Sequence, residues 1–187
     1  MKIKQALFVF LIIVLAVLLA ACSTGGKEDE HTNMKHEETE EMEHMHHSSS
    51  GELPEGLKEA VNPTFEVGSK AIMHTDHMEG MNGAEATVVG AFDTTVYAIS
   101  YTPTTGGDRV ENHKWIIHEE IKDASNEPCQ AGEEVAVEAD HMEGMKGAEA
   151  TIDSAEQTTV YMVDYTSTND EQVENHKWVT ESELSAK

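Results

Sequence analysis

The chain has 187 residues, a formal net charge of −24 at neutral pH and only two cysteines. A chain this acidic is repelled by nucleic acid and by anionic lipid headgroups, so nucleic-acid binding is excluded as its function. If one cysteine is lipidated, as argued next, the single remaining thiol excludes an intramolecular disulfide.

The N-terminus has the pattern of a secretory signal. Lys2 and Lys4 precede an apolar run, ALFVFLIIVLAVLL, and small residues stand directly before Cys22. This order defines a signal peptide, here residues 1–21, and a cysteine after Leu-Ala-Ala is typical of a bacterial lipobox. We expect Cys22 to be acylated and to anchor the chain at the outer face of the cell membrane. The alternative is an uncleaved transmembrane anchor.

Residues 22–61 are predicted to form a disordered, acidic tether rich in His and Met. They contain no aromatic residue and few aliphatic ones, so they cannot bury enough apolar surface to offset the entropy of ordering. Within the tether, the tract MEHMHH carries five candidate metal ligands: Met42, His44, Met45, His46 and His47.

The donor types of this tract favour copper. Thioether sulfur is a soft ligand that suits Cu(I), whereas imidazole suits Cu(II), Zn(II) and Ni(II). We therefore predict copper as the bound ion, with zinc as the alternative. The competing interpretation is a solvated acidic spacer in which the histidines are incidental.

The rest of the chain is a tandem repeat, residues 62–125 and 126–187. The phrase DHMEGMNGAEAT begins at Asp76 and DHMEGMKGAEAT begins at Asp140. TTVYAISYT matches TTVYMVDYT, and VENHKW occurs in both copies. Two copies of about 60 residues indicate duplication of one folding unit.

Each repeat is predicted to be a set of short β-strands. TTVYAISYT alternates with period two, which places Tyr97, Ile99 and Tyr101 on a core face and Val96 and Ala98 toward water. The predicted fold class is all-β, with two tandem small SH3/KOW-like partly open barrels following the signal peptide and the tether.

The repeated phrase supplies a second set of candidate metal ligands. If HMEGM is a loop, His and Met can converge with the histidine of NHKW, whereas adjacent His and Met in a straight strand point to opposite faces. The predicted sets are His77, Met81 and His113 in the first repeat, and His141, Met145 and His176 in the second. The alternative is a structural role, because Met fills irregular cores well.

The combination of DHMxGMxGAEAT, TTVYxxxYT and ENHKW resembles the YdhK-type lipoprotein family of Gram-positive bacteria. The resemblance covers the lipobox and about 120 further residues. Some relatives are described as copper-binding lipoproteins associated with copper resistance, so the resemblance implies a metal-related role.

Motifs for catalysis are missing from the sequence. There is no Gly-x-Ser-x-Gly, no Walker loop and no His-Glu-x-x-His. We therefore predict a non-enzymatic, membrane-anchored lipoprotein that sequesters copper. The alternative function is an SH3-like module that binds the cell wall or a protein and uses its His and Met structurally.

Overall fold

The structure is a computed structural model that describes residues 48–187. The predicted signal peptide, Cys22 and the tract at residues 42–47 lie outside the described residues. Within the part that is described, no helix is long and apolar enough to cross a membrane.

The described chain is built from β-strands and two short 3₁₀ turns, at His118–Glu120 and Glu181–Glu183, without an α-helix in this range. The all-β prediction is therefore confirmed, and the sheet is open rather than closed. The strands are β1 (Lys58–Glu59), β2 (Lys70–Met73), β3 (Glu85–Tyr101), β4 (Val110–Ile117), β5 (Glu134–Ala136), β6 (Glu149–Thr166), β7 (Gln172–Thr180) and β8 (Leu184–Ala186).

Two long strands, β3 and β6, form the spine of the molecule. They pair antiparallel along nearly their whole length, from Ala86 opposite Tyr165 to Tyr101 opposite Ala150. The segments EATVVGAF and TTVYAISY, on either side of Asp93, form one continuous strand. The reason is that pairing with the other repeat satisfies the backbone hydrogen bonds through the middle of β3.

Each end of this spine is completed by strands from both repeats. At one end, the start of β3 pairs with β2, the end of β6 pairs with β7, and β2 also pairs with β8. We call this the first lobe. At the other end, which we call the second lobe, β5 pairs with the start of β6 and β4 pairs with the end of β3. The two repeats have therefore exchanged strands.

The hydrophobic cores reflect this exchange. In the first lobe, Met81 of the first repeat packs in one cluster with Tyr161 of the second repeat. In the second lobe, Ile99 of the first repeat packs in one cluster with Met145 of the second. Neither repeat thus encloses a core by itself.

The central strands are buried on both faces. Tyr97, Ile99 and Tyr101 lie in the core as predicted, each 0% exposed. The expectation that Val96 and Ala98 face water is wrong, because they are 0% and 1% exposed in a third cluster. Tryptophans from β4 and β7 cover this face, and the period-two pattern of β3 alone cannot reveal a cover that other strands supply.

The folded unit begins before residue 62, where the tether was expected to end. The Ser49 amide donates to the carbonyl of Glu174 (3.0 Å), and the Ser49 hydroxyl donates to the carbonyl of Asn175 (2.6 Å). Further on, β1 pairs with β3 opposite Asp93. Residues 48–61 therefore lie against the sheet, and the boundary lies nearer the N-terminus than the composition indicated.

Candidate functional site

The phrase HMEGM is a loop in both repeats, as the metal hypothesis requires. In the first repeat it falls between β2 and β3, where Gly80 has a φ of 79°. The amide of Ala84 donates to the carbonyl of Met81 at 3.0 Å, and the second repeat has the same bond from Ala148 to Met145. Because the backbone turns here, neighbouring His and Met side chains are not forced onto opposite faces.

Each loop is held by a connection of the other repeat. The amide of Thr168, between β6 and β7, donates to the carbonyl of Gly80 at 2.9 Å. The amide of Thr104, between β3 and β4, donates to the carbonyl of Gly144 at 2.9 Å. Contacts between the two repeats therefore hold the HMEGM loops in place, just as they form the hydrophobic cores.

In the first lobe, His77 is hydrogen-bonded to a partly buried carboxylate. Its Nε2–H donates to Oε1 of Glu183 at 2.6 Å, and the Trp115 indole donates to Oε2 of the same carboxylate at 3.0 Å. Burial opposes ionisation, but the hydrogen bond and attraction of His77, with the Thr180 amide and Trp115, outweigh it and lower the pKa of Glu183 to about 2. The carboxylate is thus ionised at neutral pH.

The second lobe repeats this arrangement with the copies interchanged. Nε2–H of His141 donates to Oε1 of Glu120 at 2.8 Å, and the Trp178 indole donates to Oε2 at 3.1 Å. The Ile117 amide also donates to Oε2, at 3.1 Å. Burial acts against these bonds, yet the attraction of His141 and the donated hydrogens lower the pKa of Glu120 overall.

The sequence interpretation missed these glutamates and tryptophans. Both repeats carry Trp followed five positions later by Glu, as Trp115 with Glu120 and Trp178 with Glu183. This shared spacing was the available signal. It did not show that each glutamate contacts the histidine of the other repeat.

The hydrogen bonds to glutamate determine which imidazole nitrogen remains available to bind a metal ion. A carboxylate only accepts, so Nε2 carries the proton, and in the neutral ring Nδ1 keeps its lone pair. Nδ1 of His77 and Nδ1 of His141 are both buried and have no hydrogen-bond partner. A histidine that gives its second N–H to a carboxylate is the usual form of an oriented metal ligand.

The structure places His113 and His176 beside tyrosines of the two lobe cores. His113 stands edge-on to Tyr101 (6.1 Å between ring centres), which shares the core of the second lobe with Met145. His176 stands edge-on to Tyr165 (5.8 Å), which shares the core of the first lobe with Met81. Each of these histidines therefore contacts a core that contains a methionine of the opposite repeat.

Assigned by lobe, the candidate metal ligands are His77, Met81 and His176 in the first lobe, and His141, Met145 and His113 in the second. Burial, and then the proximity of His141 and His77, lower the pKa of His113 to about 4. Its Nε2 is also buried without a hydrogen-bond partner, so the ring is neutral at pH 7.

The core of each lobe contains thioether sulfur. Met81 and Met145 are fully buried, and Met78 and Met142 pack at the margins of the same cores. Within residues 48–187, no three His, Cys, Asp or Glu side chains are grouped to hold a metal ion. An ion bound in a lobe would therefore need sulfur from Met in addition to imidazole nitrogen.

Comparison with known proteins identifies the family. The family model DUF1541, described as a protein of unknown function, matches residues 67–118 and 131–181. The protein called uncharacterized protein YdhK, from Bacillus subtilis strain 168, is 56% identical over 188 residues, which span 100% of this chain and 92% of YdhK.

Solved structures of YdhK have the same fold. A crystal structure of this DUF1541 family protein from Bacillus subtilis is 65% identical, with a TM-score of 0.75, and the match covers 78% of this chain and 99% of that one. A solution NMR structure of the YdhK C-terminal domain is 67% identical, with a TM-score of 0.63, and covers 66% of this chain and 94% of that one. The chain belongs to the DUF1541 family.

Proposed function

We propose that the mature protein is a non-enzymatic copper-binding lipoprotein, anchored through Cys22 at the outer face of the cell membrane. The observation that carries this proposal is the pair of His–carboxylate contacts, His77 with Glu183 and His141 with Glu120. Each orients an imidazole and leaves its Nδ1 buried without a hydrogen-bond partner, and the core of each lobe contains a methionine. This donor combination suits copper better than it suits hard cations.

The unprotonated state of His113 at neutral pH also supports the proposal of copper binding. A metal ligand must be deprotonated, and a histidine whose pKa is about 4 offers its lone pair to an ion throughout the neutral range. Buried methionine adds a soft donor that does not titrate. The second lobe, with two imidazoles and one thioether, can therefore bind Cu(I) without displacing a proton from His113.

The tract at residues 42–47 is proposed to add further copper sites. It contributes five ligands of the same two types in a six-residue stretch. A short ligand string and two lobes together give the protein capacity for several ions. Such capacity is appropriate to sequestration outside the cytoplasm.

The test is an anaerobic Cu(I) titration of the unlipidated mature chain, residues 23–187, against a competing chelator, with Zn(II) in parallel. One variant replaces the three histidines and two methionines of the 42–47 tract with alanine. A second carries His77→Gln, Met81→Leu, His141→Gln and Met145→Leu. We expect each variant to bind fewer Cu(I) ions than the parent and to retain its far-UV circular dichroism.

The proposal is overturned if the parent chain does not retain Cu(I) against the chelator. Sedimentation with purified cell wall tests the alternative function on the same samples. Wall binding by a chain that retains no copper would assign the lobes to a wall-binding module, with His and Met in structural roles.

A further inference from the structure

The outer edge of β7 is covered by a short N-terminal segment, residues 48–52, which we call the strap. The Ser49 amide donates to the carbonyl of Glu174 at 3.0 Å, and the Glu174 amide donates to the hydroxyl of Ser48 at 2.9 Å. The Ser49 hydroxyl donates to the carbonyl of Asn175 at 2.6 Å, and the Asn175 side-chain amide donates to the carbonyl of Ser49 at 3.3 Å. The strap thus satisfies the polar groups of a strand edge, as an added strand does.

The docking groups of β7 occur a second time, on β4. The six residues VENHKW stand at 110–115 in β4 and at 173–178 in β7. Glu111 and Asn112 are therefore the counterparts of the two residues that hold the strap on β7. Because the side chains are identical, β4 offers the same donors and acceptors wherever its backbone has the same shape.

The backbone has the same shape at the two places. The φ angle is 52° at Asn112 and 52° at Asn175. The Asn112 amide donates to Oγ of Ser100 at 3.0 Å, and the Asn175 amide donates to Oδ1 of Asp164 at 2.7 Å, so both amides point toward the neighbouring long strand. On β7 the glutamate before this asparagine points its amide and carbonyl to the strap, and Glu111 therefore points the same groups outward from β4.

On β4 this outer edge is open. Within the part of the chain that the structure describes, the only strand that pairs with β4 is β3. Asn112 and Lys114 are exposed. Their counterparts Asn175 and Lys177 are partly buried, and Lys177 donates its ammonium to the carbonyl of Glu52 in the strap. A strand edge with unpaired amides and carbonyls is a template for pairing with another chain.

The strap defines the chemistry that such an edge accepts. Two consecutive residues supply hydroxyls, because Ser48 accepts from a main-chain amide and Ser49 donates to a main-chain carbonyl. Gly51 has a φ of 75°, and a Cβ atom placed there would lie 3.1 Å from Cγ of Asn175. Glycine therefore suits both the backbone conformation and the space. The pattern that fits this edge is Ser-Ser-x-Gly.

We propose that the outer edge of β4 is a docking site for a Ser-Ser-x-Gly segment of another polypeptide, bound as the strap is bound on β7. The Glu111 amide donates to the hydroxyl of the first serine, and the Glu111 carbonyl accepts the amide of the second. The Asn112 side chain donates to the carbonyl of the second serine, and Lys114 donates to the carbonyl of the residue after glycine. The site arises because the strap occurs once in the chain, whereas the folding unit occurs twice. It uses neither the HMEGM loops nor the buried carboxylates, so it does not depend on copper binding.

Hydrogen exchange of the unlipidated mature chain, residues 23–187, tests whether the edge is open. The Glu111 amide should exchange with solvent faster than the Glu174 amide, by about tenfold or more, because the strap protects only the latter. Equal protection of the two amides would show that the edge of β4 is already covered, and would overturn the inference. Protection of Glu111 that rises with protein concentration would assign the edge to a second copy of the chain, and would overturn it as well.

A peptide titration tests the docking itself. The probe is the capped peptide Ser-Ser-Ser-Gly-Glu-Leu, which has the sequence of residues 48–53, added to the same chain labelled with ¹⁵N. We expect a saturable shift of the Glu111 amide resonance and none of the Glu174 resonance. A control peptide with alanine in place of glycine should bind several-fold more weakly.

The repeats offer a matched pair of variants for this titration. Asn112→Gly and Asn175→Gly both remove a side-chain amide and keep a residue that adopts positive φ readily. Asn112→Gly should weaken the peptide several-fold. Asn175→Gly should leave its affinity for β4 unchanged and instead speed hydrogen exchange at Glu174. The inference fails if Glu111 shows no saturable shift, if only Glu174 shifts, or if the control peptide or the Asn112→Gly variant binds as well as its parent.

Discussion

At the scale of single residues, the histidines fall into two classes. His77 and His141 are each hydrogen-bonded to a glutamate carboxylate, so their ring orientation is determined by a charged hydrogen bond. His113 is buried without such a partner at Nε2, and its pKa of about 4 records the cost of charging it there. The first class is suited to hold an ion in a defined geometry. The second class offers a neutral imidazole nitrogen as a metal ligand.

The pKa of His113 predicts a loss of stability in mild acid. Between about pH 6.5 and pH 4 the unfolded chain binds a proton at this residue that the folded chain does not, so stability falls as pH decreases through that window. Between pH 7 and pH 5, the lowered pKa of this residue should reduce the free energy of unfolding by about 2 kcal/mol. Urea unfolding of the metal-free proteins at the two pH values measures this loss. The free energy of unfolding of His113→Gln should fall less than that of the parent, by about that amount. Equal losses in both proteins would contradict the assignment.

At the scale of elements, the HMEGM loops are docking points between the repeats. A Cβ atom placed on Gly144, where φ is 72°, would lie 2.6 Å from Oγ1 of Thr105 and 2.9 Å from Cβ of Pro103. Gly147, in the same loop region, also has a positive φ of 79° but nothing within 4 Å. Substitutions at the two glycines therefore distinguish the effect of backbone strain from the effect of steric crowding.

Gly144→Ala should destabilise the protein more than Gly147→Ala. Both changes place a side chain at positive φ, which costs about 1 kcal/mol. Only the first also presses the loop away from the connection between β3 and β4, and we expect a total of about 3 kcal/mol for it. Urea unfolding of the two variants gives the comparison. A smaller or equal effect of Gly144→Ala would show that the loop does not pack there as described.

At the scale of the whole molecule, strand exchange joins the two repeats into one folding unit. The third cluster also spans both copies, with Trp115 and Trp178 packed on the central strands. A unit of about 60 residues has a marginal core when it folds alone. Exchange lets each copy complete the core of the other.

Fragments test this interdependence. Residues 48–125 and residues 126–187, produced separately, should each fail to unfold cooperatively as a monomer, because each lacks half of both cores. Mixing them in equal amounts should restore the near-UV circular dichroism of the tryptophans. A monomeric fragment with a cooperative transition of its own would contradict the exchanged fold.

The sequence by itself determined the all-β class, the duplication and the inward face of TTVYAISYT, because period-two alternation and β-branched residues act locally. It also identified the histidines and methionines that the lobes enclose. It could not locate Glu120 and Glu183 in the site, since each contacts a histidine that belongs to the other copy.

Only the tertiary structure decided which copy supplies each partner. His113 contacts a tyrosine of the core that contains Met145, and His176 contacts a tyrosine of the core that contains Met81, whereas the sequence grouped each histidine with the methionine of its own repeat. The physical reason is the similarity of the two repeats. Equivalent strands carry the same motifs, so the local pattern is compatible with pairing within a copy or between copies. The choice is made by the long β3–β6 ladder, a non-local set of hydrogen bonds that no short stretch of sequence encodes.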